Sequence, residues 1–299
     1  MHDPRIIFYR DTKNFGDAFN TFLFSEIIDV KKLPNDTGMV FGVGSILSEK
    51  FGLDVSSNVL TLGTGVRGID INRERTPLHV SNKSWSRGVF SEAISGIESI
   101  ADGAYAFMLH PRYRQLLDEP RRIEKKLGII PHYSSLARFP WSRVADAQFK
   151  IISPLQDFLD VCREILSCEM VLCEAMHGAI FADMLRVPWL RLDFLSRYFE
   201  NPEISYLKWN DFYSGVHLLG RNELRLYHLL FEGTLAREYL SKTPLLSLYN
   251  GRRVRSLREI LATTLGAKGD FQHSDETALR DVRTRIKDKL GSALTHGCV

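Results

Sequence analysis

Residues 170–188 constrain this chain more than any other stretch. They read Met-Val-Leu-Cys-Glu-Ala-Met-His-Gly-Ala-Ile-Phe-Ala-Asp-Met-Leu-Arg-Val-Pro. A short apolar run ends at Cys173, a titratable imidazole and a glycine follow, and a helix-like run then meets Pro188. That is a strand feeding a loop feeding a helix, with His177 at the turn. In open α/β sheets ligands lie outside the carboxyl ends of the strands, so His177 is expected to face a site.

The same alternation recurs along the chain. Apolar runs at 5–9, 39–44 and 59–65 read as strands, and residues 18–28 carry Phe19, Phe22, Leu23 and Ile27 at helical spacing. Residues 91–100 read as a short helix. Residues 110–126 are charged and contain proline, which suggests a surface excursion and a linker. A second series follows: strands at 127–131, 149–153, 169–174 and 188–194, with helices at 154–167, where Pro154 falls near the first turn, and at 178–185. Strand–helix alternation at this spacing predicts α/β architecture with parallel sheets, arranged as two Rossmann-like domains facing a cleft. The boundaries are placed at 1–122, 123–240 and 241–299. The last segment is a helical C-terminal extension, with Val254, Leu257 and Leu261 on one face and Leu279, Val282, Ile286 and Leu290 on another.

The 299 residues suffice for two domains with a sizeable core. An excess of three positive charges, 39 basic against 36 acidic residues, argues against nucleic acid as a partner, which calls for a strongly basic face. Cys162, Cys168, Cys173 and Cys298 contain no C-x-x-C pair and are read as reduced core thiols. There is no signal-peptide pattern at Met1 and no apolar run approaching the ~18–20 residues of a membrane span. A cytoplasmic protein is expected, with peripheral contact at the inner membrane face left open.

Four glycine-bearing loops follow expected strands: Asn14-Phe-Gly-Asp17, Gly42-Val-Gly-Ser45, Gly63-Thr-Gly-Val-Arg-Gly68 and His177-Gly178. Such loops let backbone N–H groups approach a phosphate or a sugar. None completes G-x-G-x-x-G at a strand–helix junction, and no P-loop is present. His132 and His177 both fall at expected carboxyl ends in the same half of the chain. Arg67, Arg87 and Arg191 lie near expected loops, where each could grip a carboxylate or phosphate bidentately. There is no H-x-x-x-H, H-E-x-x-H or compact Cys/His cluster, so no metal is expected, and no G-x-S-x-G elbow.

Six pieces in this order resemble the polysaccharide pyruvyl transferase family. They are Asn14-Phe-Gly-Asp17, Gly42-Val-Gly-Ser-Ile-Leu47, Leu62-Gly-Thr-Gly65, Arg87-Gly88, Leu127-Gly-Ile-Ile-Pro-His-Tyr133 and Glu174-Ala-Met-His-Gly-Ala-Ile-Phe-Ala-Asp183 with Val187-Pro188. Lys208-Trp-Asn-Asp-Phe212 is similar to the exopolysaccharide branch that decorates succinoglycan- and xanthan-like polymers. The resemblance implies a GT-B-like pair of domains. It also implies transfer of a pyruvyl group from phosphoenolpyruvate to a sugar, closing a cyclic ketal, with no cofactor beyond that donor. The family commonly reads Arg-x-His around the key histidine, and here Ala175 stands at the arginine position.

On that reading the catalytic candidates are His177 as acid and His132 or Asp17 as base, with Glu174 an alternative base. The donor-binding candidates are Arg67, Arg87, Gly178 and Glu174. The acceptor-binding candidates are Asn14, Gly16, Gly44 and Ser45. The acceptor is expected to be a saccharide, lipid-linked, and Arg252, Arg253, Arg255 and Arg258 form a basic stretch that could rest on anionic lipid, although a helix packing back on the N-terminal domain with a solvated basic face is the favoured reading. Two rivals share the scaffold: a GT-B glycosyltransferase using a nucleotide sugar, and a non-catalytic saccharide-binding protein.

Overall fold

The computed structural model describes residues 3–10, 14–33, 35–48, 58–67, 79–136, 138–194, 196, 202–218, 223–225 and 245–298. Strand β1 (Ile6–Ile7) precedes helix α1 (Phe15–Phe22), which continues into a π-helical turn, Leu23–Ile27. Then come β2 (Met39–Phe41), β3 (Ser45–Leu47), β4 (Asn58–Val66), β5 (His79–Val80) and β6 (Trp85–Ser86). Helix α2 (Val89–Ser95), a 3-10 stretch Gly103–Leu109 and helix α3 (Pro111–Asp118) follow. The second series is β7 (Lys125–Ile130), the single turn α4 (Tyr133–Leu136), β8 (Phe149–Ile151), α5 (Phe158–Leu166), β9 (Cys168–Cys173), α6 (Met176–Met184) and β10 (Trp189–Asp193). The chain closes with α7 (Pro202–Gly215), β11 (Glu223–Arg225), α8 (Leu245–Gly266) and α9 (Glu276–Leu290).

The elements gather into two compact units. One comprises 1–120, 202–221 and 274–299, the other 121–201 and 222–273. This differs from linear boundaries at 122 and 240. The terminal helices form no unit of their own, because α8 belongs to the second unit and α9 to the first. Val254, Leu257 and Leu261 of α8 are buried with Leu127, Ile129, Leu172 and Leu190 of the second sheet. In α9 the expected face, Leu279, Val282, Ile286 and Leu290, is buried, and the helix packs on the 3-10 stretch. An amphipathic pattern tells that a helix has a partner, not which one.

Both sheets are parallel throughout, as expected. The first runs β1-β2-β4-β3, with β5 and β6 also pairing β4; the second runs β11-β10-β9-β7-β8. Parallel strands lie between other elements, so they read as continuous apolar runs. In β4 every residue after Asn58 is buried. In β9 the buried stretch Met170–Cys173 registers against Leu127–Ile130 of β7. All carboxyl ends of a parallel sheet lie at one edge, which is where the first unit carries the loops of Gly16 and Gly44 and the second carries His132 and His177.

Local chemistry explains several boundaries. Asn14 caps α1 with its side-chain oxygen on the Asp17 N–H. Asp157, not Pro154, starts α5, its carboxylate accepting from the Leu159 N–H. Helix α6 is buried nearly all round, as its apolar sequence requires, and the chain leaves it through Arg186 at φ 59. Residues 110–126 hold α3 as well as the crossing into the second unit. Cys162, Cys168, Cys173 and Cys298 are free; burial pushes the first three thiols up, Cys168 to about 11, so they stay protonated. Among the described residues no helix is long and apolar enough to cross a membrane.

Candidate functional site

The second unit's carboxyl edge is organised by Glu174. It follows β9 directly and is 2% exposed. Its Oε2 accepts from the His132 backbone N–H at 2.8 Å and from the Ser135 hydroxyl, and its Oε1 accepts from the Ser196 N–H at 2.6 Å. These donors belong to the loops after β7 and β10, the two neighbours of β9. One carboxylate thus ties three strand ends. Burial raises its pKa, opposed by the bonds from Ser135, His132 and Ser196. Glu174, expected as a base or donor-binding residue, is enclosed by these donors and builds the loop that carries His132.

His132 is half-buried. Its Nδ1 lies 2.6 Å from the Ser134 hydroxyl and also accepts from the Ser134 backbone N–H at 3.3 Å. A backbone N–H can only donate, so that contact makes Nδ1 an acceptor and puts the ring proton on Nε2. The ring rests against Tyr133, centroids 4.5 Å apart. His177 stands on the first turn of α6, half-buried, with its Nε2 enclosed by protein. Since β7 and β9 pair in register, Ile130 with Cys173, the two histidines leave adjacent strand ends.

Gly178 serves packing. A Cβ there would come within 2.9 Å of the Ile130 side chain, and its N–H already bonds the Ala175 carbonyl at 2.9 Å. The glycine lets α6 close onto β7, and the expected contact of its N–H with a donor phosphate does not hold. Ala175 is the N-cap residue of α6 and supplies no side-chain bond. One exposed cation on this edge has no signal in the motifs. Arg138 donates from Nη1 to the Ser134 carbonyl at 2.6 Å, two residues from His132. Its only signal was a place just after the histidine loop. Arg191, by contrast, is 7% exposed and pairs with Glu223 at 2.7 Å.

The first unit's carboxyl edge depends on a different buried charge. Arg87 is fully buried. Its guanidinium lies 3.2 Å from Asp211 and 3.7 Å from Asp102, and it donates to the Ser45 hydroxyl at 2.9 Å. Gly65 makes room for it, since a Cβ would sit 1.7 Å from its Nη2. Arg87, expected as a donor-binding residue, thus has its charge engaged inside the unit by two carboxylates. Asp211, in the Lys208–Phe212 motif, also accepts from the Ser91 N–H at 2.9 Å. Burial, with Asp211 adding and Arg87 opposing, pushes Asp102 up to about 6.

Asn14 and Asp17 form a reciprocal helix cap, Asn14 Nδ2 donating back to Asp17 Oδ2, and Gly16 is buried in the same turn. Asp17 is 9% exposed, so the motif reads as a cap and not as an open base. Gly44 adopts φ +136, a backbone state that favours glycine. Its loop is clamped by Asn20, whose amide exchanges bonds with the Val43 N–H at 2.7 Å and the Val43 carbonyl at 2.9 Å. Asn20 was invisible in the sequence because it sits inside a helical apolar pattern. Ser45 is half-buried and accepts from Arg87, which leaves its own proton free to point elsewhere. Arg67, half-buried at the end of β4, donates to the Tyr9 hydroxyl and lies over its ring. Gly68 lies outside the described residues.

Arg253 lies over the Phe139 ring at 5.3 Å and Arg258 bonds Asp146, so these two tail arginines are engaged within the second unit. The side chain of Arg252 lies outside the described residues. Among the described residues no group of three or more His, Cys, Asp or Glu is placed to hold a metal.

No family model and no solved structure matches the chain. It is 29% identical to the "Succinoglycan biosynthesis protein ExoV" of Rhizobium meliloti (strain 1021), over 66% of this chain and 60% of that protein. It is 24% identical to an uncharacterized protein of Acanthamoeba polyphaga mimivirus, over 88% of this chain and 92% of that one. The match thus spans about 60% of the length of the first relative.

Two substitutions test these buried charges. Glu174→Gln removes one acceptor atom and faces a buried donor with an NH₂ group, so it should lower stability by about 1–3 kcal/mol in urea unfolding. Asp102 has a folded pKa of about 6 against an ordinary 3.8, so its contribution is intact below about pH 4 and lost as pH rises through about 6. Asp102→Asn does not titrate. Its stability relative to the parent should rise by roughly 1–3 kcal/mol between pH 4 and pH 7, read as the difference of urea midpoints.

Proposed function

We propose, from the chain's place in the polysaccharide pyruvyl transferase family, that it is an exopolysaccharide-biosynthesis transferase moving a pyruvyl group from phosphoenolpyruvate to a sugar. The observation that carries this reading furthest is the pair of histidines leaving adjacent parallel strand ends, one of them on a loop that a buried carboxylate holds. The motif order and the relative named for succinoglycan biosynthesis support it. The reading includes a GT-B-like pairing of Rossmann-like units, which the resemblance implies, a cytoplasmic site of action and a saccharide acceptor carried on lipid.

The reaction joins one phosphoenolpyruvate to two hydroxyls of one sugar and yields a ketal and inorganic phosphate. A proton added to C3 turns the methylene into a methyl and leaves C2 oxocarbenium-like. The first hydroxyl adds to C2 and gives up its proton. The bond from C2 to the phosphate oxygen then breaks, and its electron pair leaves with phosphate. The second hydroxyl adds to C2 and gives up its proton in turn. One hydroxyl proton makes good the one delivered to C3, and the other leaves with phosphate.

In this scheme His177 is the acid that protonates C3. His132 takes a hydroxyl proton at Nδ1, its unprotonated nitrogen, passed on through the Ser134 hydroxyl 2.6 Å away. Arg138 supplies the cation that the carboxylate or phosphate of the donor needs, in the neighbourhood where Ala175 offers none. Arg67 is a second cation, on the first unit. The hydroxyl of Ser45, with the loop at Gly44, addresses the acceptor.

Phosphate release together with added mass on a glycan, on incubation with phosphoenolpyruvate, is the direct assay. His177→Ala should lower kcat by about 10²–10⁴ with the fold intact by circular dichroism. Arg138→Ala should raise KM for phosphoenolpyruvate about tenfold or more with a smaller change in kcat. Stabilisation against heat by nucleotide sugars and not by phosphoenolpyruvate would replace this reading with a glycosyltransferase.

A further inference from the structure

A cavity of about 510 Å³ opens in the first unit, with Asn20, the clamp of the Gly44 loop, among its lining residues. It lies between the edge strand β1 and the face of α1 and its π-helical continuation. Phe8 and Phe24 form its apolar wall, ring centroids 6.1 Å apart and 23° between planes, with the Arg10 guanidinium 4.7 Å from the Phe8 centroid. Thr21, Ser25 and Lys31 are exposed on its rim. The volume falls in the range of small-ligand sites, roughly 300–1,000 Å³, and aromatic walls with a few polar groups are their usual lining.

The π-helical turn, Leu23–Ile27, shapes this cavity by turning Phe24 and Ser25 into its wall. Such turns are uncommon and frequently occur at functional sites. This one is pinned by Thr295, which also lines the cavity: its hydroxyl donates to the Glu26 carbonyl, and its N–H donates to the Ile27 carbonyl at 3.0 Å. The turn is therefore a fixed part of the wall. At its other end the cavity reaches Phe8 and Arg10, the residues that follow β1, so it starts at the carboxyl edge and runs back along the outside of the sheet.

We infer that this groove is a saccharide subsite that holds sugars of the acceptor other than the one being modified. A β-linked glucopyranose offers flat C–H faces that pack on aromatic rings and a girdle of equatorial hydroxyls. Thr21, Ser25, Lys31 and Arg10 supply the hydroxyl and cationic partners for that girdle. A polymer repeat is longer than its reacting residue, and a groove leading away from the carboxyl edge gives the remainder a place to lie. The inference rests on the proposed saccharide acceptor, but it makes its own claim about binding that needs no donor.

The probes are cellotetraose and cellobiose, titrated against the full chain by calorimetry with no phosphoenolpyruvate present. Cellotetraose should bind more tightly than cellobiose. Ser25→Trp, which fills the groove from an exposed position, should weaken cellotetraose at least tenfold, and Thr21→Trp should do the same if either variant alone disturbs the turn. His177→Ala should leave this binding unchanged. Absence of binding, or binding indifferent to both tryptophans in variants that melt like the parent, overturns the inference. Pyruvyl transfer with no such binding would sink the groove alone, whereas groove-dependent binding with no transfer from phosphoenolpyruvate would sink the reaction alone.

Discussion

The carboxylate of Glu174 does what no backbone group can do at the edge of a parallel sheet. Strands that run the same way must each be followed by a loop at the same edge, and those loops arrive with N–H groups that have no ladder to join. Buried donors without acceptors cost about as much as lost hydrogen bonds, so something must take them. Glu174 accepts from the loops after β7 and β10 at once, from the end of the strand between them. Its burial disfavours the charge, and the bonds from Ser135, His132 and Ser196 oppose that shift. The consequence is that His132 rides on a backbone fixed at its own amide.

The first unit solves the same problem with the opposite charge. Arg87 is fully buried, and two carboxylates and a hydroxyl face it. Replacing such a network with apolar groups is often neutral for stability, so stability alone does not account for it. What it does accomplish is connection. Arg87 and Asp211 are 124 residues apart, and through Asp211 the helix Pro202–Gly215 is joined to the first unit although the chain has by then passed through the second. Gly88 and Gly215 belong to the same arrangement, since a Cβ at either would strike backbone of the other segment.

This explains which features were legible in the sequence and which were not. The parallel strands were, because burial on both faces writes a continuous apolar run that Gly, Asp and Pro interrupt; residues 149–194 came out nearly element by element. The assignment of helices to units was not, because amphipathic faces such as that of Leu279, Val282, Ile286 and Leu290 carry no address. The π-helical turn was also hidden: Phe22, Leu23 and Ile27 fit a helical period whichever way the backbone bonds. Among site residues, the sequence showed that Asn14, Gly16, Asp17, Arg87 and Gly178 mattered, but not that they cap, pair and pack. A motif marks a position that tolerates few residues, and a buried ion pair is as intolerant as a ligand contact.

Arg138 is the converse case. It has no motif, because an exposed arginine on a loop looks like any solvated charge, and only the bond to the Ser134 carbonyl shows where its guanidinium is held. That bond matters for electrostatics. A cation anchored to the short loop that carries His132 adds positive charge to this edge of the second unit. His177 sits instead on the first turn of α6, on the neighbouring strand end. Placing the two histidines on adjacent strands lets one sheet edge give each ring its own surroundings, which two histidines on one loop could not have.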